Sequence, residues 1–178
     1  MNKDTQDSST ILEAFLAAQP AYMKAVAKRA AKDGAYRAAL KRDAGKTIED
    51  AAAKTLYQFY QVAPTMLRKY APQCFLAASL QCLYTEEDLP KAVPLAAAYQ
   101  YMPEEGRDSF LRRLVMVLDT PYEEERMFAL QLYRLVRFAK AKGVVVDCTA
   151  LLADLISWKG RSNRIKRKWM ELALSSRS

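Results

Sequence analysis

The residues with the most chemical potential lie near the C-terminus, in WKGRSNRIKRKWMELAL (158–174). There Lys159, Arg161, Arg164, Lys166, Arg167 and Lys168 crowd between two tryptophans. Six cations within ten residues repel one another, so folding demands that solvent, salt or an acidic partner screen them. Their chemistry is the binding of polyanions. Catalysis is poorly provided for, because the chain has no histidine. It thus lacks the usual neutral-pH general base, the usual partner of a nucleophilic Ser or Cys, and the commonest transition-metal ligand. A carboxylate-only metal site would need converging acids. The acids instead fall in short runs, Glu86-Glu87-Asp88, Glu104-Glu105 and Glu123-Glu124-Glu125, each after a Thr or Pro, where helix dipoles explain them. Cys74, Cys82 and Cys148 have no CxxC spacing and read as reduced, packed thiols. No cofactor and no metal is expected.

The elements that must position these cations are helices. The 178 residues are 51% hydrophobic, include only five glycines, and repeat apolar residues at spacings of three and four. The expectation is all-α: a compact helical bundle of about eight or nine helices, divided into an N-terminal lobe (1–100) and a C-terminal basic lobe (101–178). The pattern predicts helices over 11–19, opened by Thr10 and Glu13 and broken at Pro20, then over 22–32 and 35–43 with Asp33-Gly34 between them. Others are predicted from 48 to before Pro64, over 75–84 with Pro72 at a first position, over 92–101, and over 104–118. Thr120, Pro121 and Glu123 predict the start of a helix reaching Lys142, and Asp147 caps one through Ser157. The last spans 163–174.

Charge is unevenly distributed. From Arg126 onward 12 Lys or Arg face three acids, whereas the first 125 residues hold 16 against 17, so the net +8 belongs to the C-terminal third. A second basic island runs from Lys24, Lys28 and Lys32 through Arg37, Lys41 and Arg42. Helical geometry puts Ile165, Trp169 and Leu172 on a buried stripe with Arg164 and Arg167 nearly opposite; likewise Phe128, Leu132, Leu135 and Ala139 face inward, leaving Arg126, Arg137 and Lys140 outward with Arg134 to one side. The apolar stripe of the last helix is too narrow for a membrane-surface helix, and no stretch is long and apolar enough to span a bilayer or resembles a secretory signal, so a cytoplasmic location is expected. Helix-turn-helix, zinc-finger and basic-zipper patterns are missing, which favours a phosphate backbone over base-specific reading. Tyr57, Tyr60 and Tyr133 are candidates for base stacking, although helix tyrosines are more often half-buried packing residues. The competing reading is a scaffold whose cations meet acidic proteins.

The run ALQLYRLVRFAKAKGVVVDCTALLADLISWKGRSNRIKRKWMELAL (129–174) resembles CasB, the small subunit of the type I-E CRISPR surveillance complex, Cascade. The likeness rests on Lys142-Gly143, Val146-Asp147, Leu151-Leu152, Asp154-Leu155, Trp158, Arg164, Arg167 and Trp169, with AALKRDAG and FYQVAP upstream. Residues 85–106 depart from the pattern, and Cys148 stands where the family often has tryptophan. The resemblance implies a non-catalytic, two-lobed helical subunit that packs as a pair beside other Cascade subunits and supports guide RNA, target DNA and the displaced strand. Together with the charge pattern it nominates Arg37, Lys41, Arg42, Arg134, Arg137, Lys140, Arg161, Arg164, Arg167 and Lys168 as backbone contacts.

Overall fold

In the computed structural model the described residues are 3–175, with side chains described from Glu13 onward except that of Lys159. The first helix, α1 (Lys3–Lys32), runs through Pro20 rather than breaking there. A mid-helix proline costs about 3 kcal/mol through its missing N–H and its ring. Tyr22, Met23 and Val26 just beyond it are almost fully buried, and the Tyr22 hydroxyl donates to the Cys74 carbonyl at 3.3 Å, so tertiary packing carries the helix past the proline. Thr10 consequently lies inside the helix, and its side chain is outside the described residues.

Asp33 ends α1 and caps α2 (Gly34–Arg42) as expected, its Oδ1 accepting from the Ala35 and Tyr36 amides at 3.0 Å each. The helix predicted from Ile48 is shorter, α3 (Ala53–Val62), because Asp43 organises the turn before it by accepting from the Ala52 amide at 2.9 Å and from Lys46 Nζ at 2.8 Å. A 3-10 turn (Thr65–Tyr70) leads into α4 (Ala71–Gln81), with Pro72 in its first turn. Every residue of α4 from Gln73 to Gln81 is buried. It is the central rod of the molecule, packed by α1, α2, α7 and α8.

Between 85 and 101 the prolines prevail over the helical pattern. A 3-10 turn (Leu89–Lys91) and a short α5 (Ala98–Tyr101) replace the predicted helix. Val93 instead forms a single parallel bridge with Val146, donating to the Val145 carbonyl at 2.9 Å and accepting from the Asp147 amide at 2.8 Å. Next come α6 (Glu104–Asp119) and α7 (Glu125–Ala141), packed side by side. Thr120-Pro121 closes α6 instead of opening α7: the Thr120 Oγ1 donates to the Met116 carbonyl at 2.7 Å, and a turn from Pro121 to Glu124 separates the helices. The stripes of Phe110, Leu114, Val117 and Leu118, and of Phe128, Leu132, Leu135 and Ala139, are buried as read.

Asp147 caps α8 (Cys148–Leu174) through the Thr149 and Ala150 amides at 2.9 and 3.0 Å. This helix is two helices in effect. Arg161 has φ −145° and ψ 33°, and the Trp158 and Trp169 rings meet edge to face with centroids 5.1 Å apart. Eleven residues of straight helix would separate them by about 16 Å, so the chain folds back at Gly160-Arg161. Phe128 packs edge-on against Trp158 at 5.1 Å, fastening the bend to α7. One contiguous set of buried side chains extends from Tyr22 to Ala173 and crosses residue 100, where α4 packs on α8. Among the described residues the architecture is all-helical apart from the one bridge, as the sequence pattern requires.

Candidate nucleic-acid interface

The candidate cations fall into two groups. The first is built where α2 and α7 meet the end of α4. The chain leaves α4 through its C-cap Cys82 and then Leu83, and two of the candidates bond the carbonyls of these residues. Arg37 Nε donates to the Cys82 carbonyl at 3.3 Å, and Lys140 Nζ donates to the Leu83 carbonyl while lying over the Tyr84 ring, 5.6 Å from its centroid. Lys41 is exposed nearby. Burial depresses the Lys140 pKa, repulsion from Lys41 and Arg37 adds to the depression, and Asp88 opposes it. Three cations therefore act on one small volume, with Asp88 opposing them and Glu86 and Glu87 lining the cavity beside Arg37.

This group extends along α7 through a close approach. Gly45 has φ +87°, a left-handed conformation natural to glycine, and a Cβ there would lie 2.7 Å from Cγ of Tyr133. The bare backbone lets the Tyr133 side chain approach the turn after α2 closely. Arg137 stacks over that ring at 5.5 Å, its Nη1 donating to the Tyr133 hydroxyl at 3.4 Å. Arg42 is tethered on the other side, Nη2 donating to Thr55 Oγ1 at 3.3 Å and Nε standing 3.9 Å from Asp43. Arg37, Lys41 and Lys140 thus cluster at the end of α4, Arg137 lies one turn before Lys140 on the same face of α7, and Arg42 is held on the α3 side of α2. Arg134 follows Tyr133 on α7, exposed, with no acidic partner among the described residues.

The second group occupies the returning half of α8. Arg161, at the bend, and Arg164 are exposed, with no acidic partner among the described residues. Arg167 Nε donates to Glu171 Oε1 at 2.7 Å, an exposed pair. Lys168 is more committed: its Nζ donates to Asp154 Oδ1 at 2.6 Å, while Asp154 Oδ2 accepts from the buried Trp169 Nε1 at 2.7 Å. Half of the Lys168 side chain stays exposed, so its ammonium has donors left for solvent or a ligand. No hydrogen bond, ion pair or ring contact among the described residues joins this group to the first.

Sequence reasoning missed the pairing of Lys168 with Asp154, which only the fold-back creates, and of Arg126 with Asp50, bidentate at 2.7 and 2.8 Å across 76 residues. It also missed the role of Tyr84 beneath Lys140. The glycine after an Asp-Ala pair, Gly45, was the available signal for the Tyr133 contact. Tyr57 and Tyr60, expected as packing residues, are 64% and 45% exposed.

Groups suited to catalysis are not assembled. Burial pushes the Cys74 and Cys82 thiols up to about 12 and raises Cys148 as well, which disfavours the nucleophilic thiolate. The Tyr36 amide holds Asp33 below its ordinary range, Arg126 does so for Asp50, and the Thr85 amide for Asp88. Among the described residues no three of His, Cys, Asp or Glu converge on a possible metal position, and no helix is long and apolar enough to cross a membrane.

Fold and surface together define an all-helical protein with one continuous core and a strongly cationic exterior along α2, α7 and the end of α8. The chain belongs to the family of CRISPR-associated protein Cse2, whose family model matches residues 36–171. The resemblance to CasB is thereby borne out. A solved structure described as a CRISPR RNA-guided surveillance complex contains a similar chain, with TM-score 0.73 and 22% identity over 89% of this chain and 92% of that one. A Cse2-family CRISPR-associated protein from Thermus thermophilus aligns with TM-score 0.71 and 16% identity over 89% and 98%. A structure described as CasB from the same organism aligns with TM-score 0.69 and 15% identity over the same shares. At these identities the likenesses speak for the fold. No curated protein matches.

Proposed function

We propose that this chain is the non-catalytic small subunit of a type I-E Cascade complex, gripping nucleic-acid backbone without regard to sequence. In this reading it supports the heteroduplex of guide RNA and target DNA, steadies the displaced strand, and works in the cytoplasm beside other Cascade subunits and a second copy of itself. Residues 1–100 and 101–178 serve as its two packed lobes. The observation that carries the reading is the placement of Arg37 and Lys140 on the adjacent Cys82 and Leu83 carbonyls, with Lys41 beside Lys140 and with Arg137 and Arg134 further along α7. Like charges brought together on a stable fold favour an anion with closely spaced charges, and a phosphate backbone supplies them. Arg161, Arg164, Arg167 and Lys168 form a second set of phosphate contacts, Arg167 and Lys168 exchanging or sharing their carboxylate partners with phosphate. Base pairing reads sequence in such complexes, which leaves the protein to hold shape and charge.

The test is equilibrium binding of the purified chain to labelled single-stranded DNA across a salt series. About six neutralised phosphates give a log-log slope of about −4, at about −0.7 per contact. Reversing Arg164 and Arg167 together to glutamate should weaken binding and leave the thermal melt almost unchanged, since the Arg167–Glu171 pair is exposed and screened by solvent. Wild-type affinity in that variant, or no loss of subunit binding when excess DNA competes, would favour a scaffold for acidic proteins instead.

A further inference from the structure

Helix α3 has a free face unlike the rest of the surface. Its exposed residues are Ala53, Lys54, Tyr57, Tyr60 and Gln61, while Thr55 and Phe59 turn inward. Tyr57 is 64% exposed and makes no ring contact or hydrogen bond among the described residues; Tyr60 is 45% exposed, and its one ring contact among them is with its neighbour Phe59, edge-on at 4.9 Å. Residues three apart on a helix have Cβ atoms about 5–6 Å apart, the span of one to two stacked nucleotides at about 3.4 Å each. Lys54 lies one turn before Tyr57, and Arg42 reaches across from α2 to Thr55 on the same helix. Thr55 is on the inward side of α3, so the cation on the tyrosine face itself is Lys54.

We infer that Tyr57 and Tyr60 form a stacking platform for unpaired bases, with Lys54, one turn before Tyr57, meeting the backbone. The inference rests on the backbone-binding reading above and adds a second kind of contact, to base faces. Every base has a π-face, so the platform is indifferent to sequence. A protein partner would find tyrosine, which interface cores favour, but also an exposed lysine, which they disfavour, and no aliphatic side chain larger than alanine. A single strand fits both parts, with bases for the tyrosines and a phosphate for Lys54.

The experiment compares two labelled strands of equal length, an oligothymidine and an abasic deoxyribose-phosphate strand, against the full chain. Wild type should bind the thymidine strand more tightly. Tyr57→Leu with Tyr60→Leu should lose roughly 10-fold per tyrosine on thymidine, with abasic affinity and salt slope unchanged; Tyr57→Phe with Tyr60→Phe should retain binding. The melt of the leucine pair should match wild type. If wild type binds abasic and thymidine strands equally, or if the leucine pair loses both alike, the platform is wrong although backbone binding stands. If wild type binds neither strand, the backbone reading fails and the platform with it. Loss of assembly with other subunits, DNA affinity being intact, would make this face a protein interface and also overturn it.

Discussion

Asp154→Ala is the sharpest probe of how the second basic group is held. Asp154 lies in the first half of α8, and its carboxylate receives Lys168 Nζ at 2.6 Å and Trp169 Nε1 at 2.7 Å from the returning half. Alanine leaves the indole N–H of a 1% exposed tryptophan without an acceptor, a cost of about 1–3 kcal/mol. It also removes a charge-assisted bond whose lysine is half exposed, which screening limits to about 1 kcal/mol. Together the loss is about 2–4 kcal/mol, and at about 2–4 °C per kcal/mol for a chain of this size the melt should fall by roughly 5–15 °C. Asp154→Asn separates the parts, because the amide oxygen still accepts from Trp169 while the charge is gone; its loss should be less than half that of alanine. Thermal melts of both, with a double-mutant cycle against Lys168→Met, give the coupling directly. An alanine variant within about 0.5 kcal/mol of wild type, or an asparagine variant as unstable as alanine, would refute the claim that one buried acceptor fastens the fold-back.

Two further tests address the α2–α3 turn. Gly45→Ala adds a Cβ 2.7 Å from Tyr133 Cγ at a φ of +87°, so a destabilisation of about 2–4 kcal/mol is expected from conformation and overlap together. DNA affinity should drop in parallel, since Tyr133 positions Arg137; Tyr133→Ala in the same chain should recover only the overlap part, and a melt matching wild type for Gly45→Ala would contradict the close approach. Asp43 is fully buried; burial alone would raise its pKa, but bonds from Lys46, Thr55 and the Ala52 amide outweigh it and hold the carboxyl at about 2. Against roughly 3.9 in the unfolded chain, its stabilising contribution is complete above about pH 4 and disappears as pH falls to about 2. Asp43→Asn should flatten stability over that window, and an unchanged acid limb in denaturant titrations would refute the assignment.

Much of this fold could be read locally. Asp33 and Asp147 act as caps because the carboxylate, the amides it receives and the helix start all lie within three residues. The stripes on α6 and α7 were legible because a single face of each is buried. What failed depended on distant packing. Pro20 is overridden by the burial of residues after it; Thr120-Pro121 has the composition of a helix start, yet its hydroxyl serves the helix behind it. The Gly160-Arg161 reversal was marked only by the gap between two predicted helices, and no spacing rule announces that Lys168 will meet Asp154 across it. The nominated cations are mostly exposed, as one-sided helical patterning requires. Their division into two groups follows from tertiary geometry, which the pattern does not carry.

The burial of α4 bears on how the chain is made. A helix with no wetted side cannot rest once it leaves the ribosome, because α8, its most extensive partner, begins some 67 residues after it ends. Until that late segment emerges, α4 must shelter against α1 and α2 or attract other apolar surfaces. Synthesis is therefore most vulnerable to premature association between completion of residue 81 and arrival of Trp158. Slow translation through the final third would lengthen that exposed interval, and a chain truncated before α8 should precipitate rather than fold.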